Sequence, residues 1–560
     1  MMNKEKQNRK KSISELLSAK IESREDLMAV KRRIAKKYGQ PILSHSEILK
    51  EYFEKSGGGS DDLKRILRKR SVRTLSGIAP VAVLTKPYPC PGKCAYCPTE
   101  KNVPQSYLSN EPAVMRAIRC NYDPYKQVRS RLSALEANGH EPTKIELIVI
   151  GGTWSVLPDD YKYWYIMRCF KAANEYGKMK NVKIKMKNDN AKCKIIKIKT
   201  ILNIEQKKNE NAKYKIIGIT LETRPDYINE KELWQMRELG CTRVELGVQA
   251  VDDKILKLNK RGHGVAETAK ATELLKNFGF KVTYHIMPGL PGATAKKDLA
   301  MFKKLFSDQR FRPDQLKFYP TVVTRGSLLY KWWKAGKYKP YGGKTLENLI
   351  VNCKKAIPEY VRIIRLIRDI PAESIVAGNM ITNLRQVMKN KGVKCRCIRC
   401  REAKGNKFLI FNFQFSIVEY NASDGREIFI QATDKNGDVL YGFCRLRLLM
   451  LSLRGSENDR SNLVKISTAK RLPRSFQSLA MTNNIALIRE LHVYGELVPV
   501  GKAKKIQHAG LGKMLMREAE KIALESGYEK MAVISGIGVR GYYRKLGYKL
   551  KNSYMVKSLV

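Results

Sequence analysis

Cys90-Pro-Gly-Lys-Cys94-Ala-Tyr-Cys97 follows the apolar run Ile78-Ala-Pro-Val-Ala-Val-Leu84. A short apolar run bounded by turn residues reads as a buried strand, so the cysteines stand in the loop at its end. Three thiolates at this spacing suit one cubane iron–sulfur cluster, each holding one iron. The fourth iron then has no protein ligand and is open to chelation by a small molecule. The alternative is a zinc knuckle that lacks one ligand. The preceding strand and the aromatic Tyr96 inside the loop favour the cluster.

Working outward, residues from about 76 to 390 alternate short apolar runs with amphipathic helical stretches. Ile145–Ile150 runs into Gly151-Gly152, and Ile216–Leu221 runs into Glu222-Thr-Arg-Pro225. Val244–Gln249 precedes a helical segment, Val282–Met287 enters Pro288-Gly-Leu-Pro-Gly292, and Gln315–Tyr319 precedes Pro320. Strands that repeatedly end in polar or glycine-rich loops predict an α/β fold of β/α units, a partial barrel with its site at the C-terminal ends of the strands. The Lys- and Asn-rich stretch Lys178–Lys215 breaks this rhythm and reads as a surface insertion. From about 406 the texture turns to strands, at Phe408–Tyr420, Ile428–Gln431, Leu440–Leu448 and Ile485–Tyr494. A helix at Lys513–Ser526 and a strand at Met531–Ile534 follow, predicting a second, mixed α/β domain over 406–560.

The chain has 560 residues, with 107 Lys+Arg against 53 Asp+Glu, a net charge of +54. That length predicts two or more domains. So large an excess of one sign repels itself unless a polyanion neutralises part of it, and the usual polyanion is a nucleic acid. A lysine-rich proteome would give the same excess, spread evenly. The N-terminal segment, 1–75, is denser in charge than the chain as a whole. There, helical stretches at Ile13–Ala19 and Ser46–Lys55, the linker Ser56-Gly-Gly-Gly-Ser60 and the run Lys64-Arg-Ile-Leu-Arg-Lys-Arg70 predict a basic helical extension. No run approaches the eighteen or so apolar residues of a membrane span. Met1–Lys11 does not resemble a cleavable signal peptide. Six of the 12 cysteines fall in two tight clusters, which is metal-site usage in a reducing compartment. A cytoplasmic protein is expected.

The second cluster, Cys395-Arg-Cys397-Ile-Arg-Cys400, lies in a junction segment, 391–405. Three thiolates with a fourth ligand from elsewhere would make a closed, structural zinc site. Cys353, Cys444 and the six histidines are candidates for the fourth, and three unmetallated thiols are the alternative. Further on, Gln507-His-Ala-Gly510-Leu-Gly512 opens the helix at Lys513. Glycines there let backbone approach a pyrophosphate, and free amides at a helix start supply donors. A Gly-x-Gly at a helix start is also an ordinary turn. What raises it is its order in the chain, after Arg489-Glu-Leu-His-Val-Tyr494 and before Ala532–Ser535 and Tyr542-Tyr-Arg-Lys-Leu-Gly-Tyr548.

The first cysteine loop resembles the signature of the radical S-adenosylmethionine (SAM) enzymes, with Tyr96 at their aromatic position. The C-terminal order resembles the GNAT acetyltransferases, which bind acetyl-CoA between two splayed strands. The pairing of the two resembles the catalytic-subunit family of Elongator in its free-standing prokaryotic form. That resemblance rests on Ser71–Gly77, Cys90–Cys97, Met115–Ile118, Gly151–Thr153, Glu222–Asp226, Arg365–Pro371, Glu490–Gly495 and Ile534–Gly536. It implies a 4Fe-4S cluster on Cys90, Cys94 and Cys97, SAM on its open iron, and a 5′-deoxyadenosyl radical. Gly151, Gly152 and Glu222 would assist SAM. It implies acetyl-CoA on Glu490, Leu491, His492, Val493, Leu511, Gly512, Lys513 and Tyr543, beside the loop Gln507–Gly512 and Tyr542, and it implicates Lys144. Cys90, Cys94, Cys97 and Tyr543 would carry the chemistry. The product would be 5-carboxymethyluridine at the wobble position of the tRNA anticodon stem-loop, with an electron donor the sequence does not identify.

Two other readings use the same residues. A protein lysine acetyltransferase needs a base for the amine, and Glu490 or His492 would serve. A non-catalytic RNA-binding protein explains the charge and leaves both cofactor signatures idle.

Overall fold

The computed structural model describes residues 2–56, 63, 66–68, 77–177, 191–381, 383–403, 413–449, 485–494 and 510–560. Gln507, Arg65, Lys69 and Arg70 and the glycines of the Ser56–Ser60 linker lie outside the described residues.

The first sheet is built from β1 (Ala79–Leu84), β2 (Lys144–Ile150), β3 (Lys215–Thr223), β4 (Arg243–Gln249), β5 (Lys281–Ile286) and β6 (Gln315–Phe318). The short β7 (Val323–Thr324) is followed by β8 (Arg362–Arg365) and β9 (Ile375–Ala377). The order is β1-β2-β3-β4-β5-β6-β8, and every neighbouring pair is parallel. β7 pairs with β9 outside it. Parallel neighbours force a crossover, and helices such as Pro124–Glu136 and Val265–Asn277 fill that role. Among the described residues β8 does not close onto β1, so the sheet is an open partial barrel.

Strand alternation divides the two faces. On β2, Ile145, Leu147 and Val149 are buried in the core under the helices. Glu146, Ile148 and Ile150 point the other way and line an interior cavity. Lys144 shares the inward register at the start of the strand.

The expected surface insertion is corrected for its second half. Ala191–Asn209 is a helix whose Ile198 and Leu202 are buried, and Asn209 donates to Asn174 at 2.7 Å. Lys215 already belongs to β3. The abundant Lys and Asn mask an apolar repeat, Ile195, Ile198 and Leu202, at helical spacing.

The second sheet contains β10 (Gln414–Ala422), β11 (Gly425–Thr433), β12 (Leu440–Leu449), β13 (Ile485–Val493), β14 (Lys530–Val533), β15 (Lys549–Lys551) and β16 (Tyr554–Ser558). Its order is β10-β11-β12-β13-β14-β16-β15. β13 stays paired with β12 as far as Val493, but pairs with the parallel β14 only through Ile485–Ile488. Beyond Ile488 the two parallel strands part. The helix Leu511–Glu525 packs Leu511, Leu515, Met516 and Ala519 into the core of this sheet.

The second sheet covers the end of the barrel where its strands begin. Arg489 donates to the carbonyl of Phe280, just before β5, at 2.7 Å. Arg445 donates to that of Tyr360, just before β8, at 2.6 Å. Gly536 lies against the backbone of Ile217 in β3, with no room for a side chain. The core cluster of the barrel continues into Phe429, Phe443, Leu487 and Ile534, so one apolar core spans both sheets.

The N-terminal segment is helical, as α1 (Met2–Ser18), α2 (Arg24–Lys37) and α3 (His45–Ser56). Ile13, Leu16, Leu27, Ile34, Ile48 and Leu67 form its own core. Arg68, one of the five basic residues of the dense run, donates to the carbonyl of Gly139 at 3.2 Å, and its carbonyl accepts from Arg24 at 3.0 Å. It ties this bundle to the barrel rather than standing free.

Candidate active site

The cysteine loop leaves β1 and is fastened to the barrel's upper rim by backbone. The amide of Ala95 donates to Asn259 at 3.0 Å and its carbonyl accepts from Leu329 at 2.7 Å. Arg261 donates to Cys94 Sγ at 3.4 Å. The hydrogen bond with Cys97 and the charge of Arg261 push the Cys94 thiol down to about 4, against burial. The same hydrogen bond, with burial, pushes the Cys97 thiol well above its ordinary value. The sulfurs of Cys90, Cys94 and Cys97 do not all lie within 4.8 Å of one another, unlike those of the second cluster.

Gly151 and Gly152 follow β2 with φ of 135° and 96°. A side chain on Gly151 would collide with Thr85 at the end of β1, so the glycine pair lets this loop lie against the cysteine loop. Glu222, at the end of β3, accepts from Tyr107 Oη at 2.7 Å and lies 3.6 Å from His285 Nδ1.

One cavity of about 740 Å³ collects these groups. Cys90, Cys94, Tyr96, Cys97, Gly152 and Glu222 line it at the strands' C-terminal ends, and Glu490, His492 and Tyr494 of the second sheet line it at the other. Along β13 the alternation sends Glu490 and His492 into this cavity, while Leu491 and Val493 pack towards the second sheet's own core. Burial would raise the Glu490 carboxyl, but Lys281 at 3.7 Å and Arg445 at 3.0 Å hold it below its ordinary value. Burial pushes His492 down to about 4, so its imidazole is neutral. Its Nε2 is buried without a protein partner.

The remaining residues expected at acetyl-CoA gather where β13 and β14 part. Gly510, at φ 89°, precedes the helix Leu511–Glu525. A Cβ on Gly512 would stand 2.8 Å from Tyr542 Oη and 3.7 Å from Val493, so glycine keeps this helix start open. Lys513 is exposed. Tyr542 is 38 % exposed and Tyr543 only 6 %. The Tyr543 ring packs in the core against Tyr542 and Tyr548.

Cys395, Cys397 and Cys400 have their sulfurs mutually within 4.8 Å. Cys397 precedes the short helix Ile398–Arg401, whose first amide donates to Val361 at 3.0 Å. Arg362 holds Glu402 at 2.8 Å. The three thiols fit three corners of a tetrahedral zinc site. Among the described residues no fourth Cys, His, Asp or Glu joins them. Cys353 sits in an apolar recess with Phe302 and Leu316, and Cys444 lies in the second sheet's core.

Sequence reasoning did not single out Glu245, His285, Lys317, Arg243, Arg261 or Arg368. His285 Nε2 lies 2.9 Å from Glu245, which also pairs with Lys317. Arg368 donates to Ser106 Oγ at 3.0 Å and lies 3.2 Å from Glu111, which accounts for part of the Arg365–Pro371 stretch. A signal was present for three of the strand residues: Glu245, His285 and Lys317 are charged or ring-polar residues inside runs otherwise read as buried strand, while Arg243 directly precedes such a run.

Comparison with known proteins follows the same division. The Radical SAM superfamily model matches residues 88–305, the Radical_SAM C-terminal domain 313–392 and the Acetyltransferase (GNAT) family 485–548. The chain is 42 % identical to a tRNA uridine(34) acetyltransferase of Methanocaldococcus infernus, over 92 % of this chain and 91 % of that protein. It is 36 % identical to Elongator complex protein 3 of Homo sapiens, over 98 % and 96 %. The solved archaeal Methanocaldococcus infernus Elp3 with an N-terminal deletion matches with a TM-score of 0.68 at 39 % identity, over 86 % of this chain and 99 % of that one. A radical SAM half-barrel closed below by a GNAT sheet, matched over nearly its whole length by these relatives, places the chain in the family of the tRNA uridine(34) acetyltransferases and Elongator complex protein 3.

Proposed function

We propose that this chain modifies the wobble uridine of tRNA, joining the acetyl carbon of acetyl-CoA to C5 of the base to leave a carboxymethyl group. The observation that carries the reading is the continuous cavity with Cys90, Cys94 and Cys97 at one end and Glu490 and His492 at the other. A 4Fe-4S cluster on the three cysteines, with SAM on its open iron, would supply one-electron chemistry able to take a hydrogen atom from the acetyl methyl. Gly151, Gly152 and Glu222 orient SAM, while the helix start at Gly510 and Gly512 takes the pyrophosphate on its free amides. The new carbon–carbon bond would form at uridine C5, with the C5 proton passing to water and one electron returning to the cluster, and water would split the thioester to leave the carboxymethyl group and free CoA thiol. Neutral His492 accepts a hydrogen bond beside the thioester, and paired Glu490 adds no free proton acceptor there.

The substrate in this reading is the anticodon stem-loop, drawn by the basic surface. The electron comes from an external donor, and zinc on Cys395, Cys397 and Cys400 fixes the junction between the sheets. All the described cysteines are free thiols, which supports a cytoplasmic setting. Among the described residues no helix is long and apolar enough to cross a membrane.

Lysine acetylation is the less favoured reading. Both candidate bases, Glu490 and His492, face the interior cavity, where a protein side chain would have to enter the barrel to meet them. The test is isotopic. Acetyl-CoA deuterated in its methyl group should transfer deuterium to 5′-deoxyadenosine during turnover on tRNA. Unlabelled 5′-deoxyadenosine alongside modified uridine would overturn the proposed role of the methyl group.

A further inference from the structure

The interior of this barrel is polar and hollow, where an ordinary closed β/α barrel is packed with branched apolar side chains. Glu146 of β2, Arg243 and Glu245 of β4, and Gln315 and Lys317 of β6 all line the cavity. Arg243 lies across the lumen, donating to Thr220 Oγ1 at 2.8 Å and Gln315 Oε1 at 3.2 Å, and lying 3.1 Å from Glu146. Charges in a sealed core are costly, so this lining needs water or ligand. Two buried atoms facing it, Glu245 Oε1 and His492 Nε2, have no protein hydrogen bond, and buried polar atoms are rarely left so.

The two mouths of the lumen differ. The cysteine loop, Gly152 and Glu222 surround the end where the strands finish. Lys281, Arg362, Glu490 and His492 surround the end where they begin, beside the point where β13 and β14 part. A thioester lying in that split would be at the lower mouth, with the reducing site above it.

From this placement we infer that the acyl end of the thioester reaches the cysteine face by passing up through the barrel lumen, past Arg243, and not around the outer rim. The inference rests on the function proposed above and adds the route and the residues that line it. Arg243 is held across the path by hydrogen bonds to Thr220 and Gln315 and by ion pairs with Glu146 and Glu245, so a thioester passing it meets guanidinium N–H donors for its carbonyl oxygen.

The test maps the route directly. A non-hydrolysable thioether analogue of acetyl-CoA carrying a diazirine at the acyl end is photolysed on the full-length protein, and the adducts are located by peptide mass spectrometry. The lumen route predicts adducts on the inward positions of β2, β4 and β6, around Ile148, Glu245 and Lys317. Adducts confined to β13 and to loops outside the barrel would overturn it. Ile148→Trp and, from the neighbouring strand at the same level, Ala82→Trp obstruct the lumen between its mouths. Uridine modification should fall roughly 100-fold in each folded variant, as reacting groups held out of register cost on this scale, while both still bind the analogue and cleave SAM. Wild-type modification rates in either variant would also overturn the route. If the wild type makes no modified uridine, the function proposed above fails, and the adduct map still reads the route.

Discussion

Arg489 and Asp314 face each other across the boundary between the two sheets, with Nη1 3.0 Å from Oδ1 and both side chains fully buried. Arg489 stands at an irregularity in β13, where the register with β12 slips between Arg445 and Leu446. Around the pair, Arg489 also holds Glu427 at 2.9 Å, Lys276 lies 3.7 Å from Asp314, and Arg447 holds Glu427 at 2.9 Å. The network fixes the second sheet on the barrel's lower end. Replacing one member strands the others without solvent. Asp314→Asn should therefore lower unfolding stability by about 3–5 kcal/mol, measured by urea titration. A loss under about 1 kcal/mol would mean that the apolar core alone sets the docking.

The same network predicts a pH dependence. Burial would raise both carboxyls, but Arg489 and Lys276 outweigh it. Glu427 is brought down to about 2 and Asp314 is held well below the usual carboxylate range. Unfolded, such groups titrate near about 4. Their stabilisation is thus complete above about pH 5 and is lost progressively as pH falls, because the unfolded chain takes up protons the folded chain refuses. The Tm advantage of the wild type over Asp314→Asn should narrow between pH 5 and 3. A constant difference would contradict the assignment.

Zinc at Cys395, Cys397 and Cys400 predicts one zinc per chain in protein purified without chelator. Cys397→Ser should remove it and lower Tm, because metal affinity becomes folding energy when the ligands are brought together only on folding. Protein free of zinc, with unchanged Tm in the variant, would make these three simple thiols.

Neutralising Arg65, Lys69 and Arg70 should weaken binding to every tRNA alike and flatten the dependence of log K on log salt by about one unit per lost phosphate contact. Arg68 is left intact because it holds Gly139, and changing it would confuse loosening of the bundle with loss of charge. An unchanged salt slope would assign the basic run to general composition.

Much of this fold was legible because the strands β2 to β6 are short apolar runs that end in polar or glycine loops, a local pattern that survives without tertiary context. β8 escaped notice, since Arg362-Ile-Ile-Arg365 is only four residues long and carries a charge at either end. α2 was missed for a similar reason: its lysines and arginines outnumber its buried Leu27 and Ile34. At the site, the cysteines and the Gly510–Gly512 helix start were legible because their chemistry depends on spacing along the chain. Arg243, Glu245, His285 and Lys317 meet only when separate strands are laid side by side, so spacing carried no trace of them. The tyrosine pair shows the limit most clearly. Tyr542 and Tyr543 are adjacent in sequence, yet one is half-open beside Gly512 and the other is in the core, and only the packing of the helix Leu511–Glu525 separates them.

The central claim is that one reaction needs both ends of one cavity. It is tested by anaerobic turnover of reduced protein with SAM, acetyl-CoA and an anticodon stem-loop, with the nucleosides read by mass spectrometry. Two full-length variants are compared with the wild type. Cys90, Cys94 and Cys97 replaced together by Ala should lose cluster iron and SAM cleavage. Gly510→Glu, which sets an anion at the helix start expected to hold the pyrophosphate, should lose acetyl-CoA binding and keep SAM cleavage. The account predicts 5-carboxymethyluridine from the wild type and none from either variant. Product formed at the wild-type rate by either variant would contradict it.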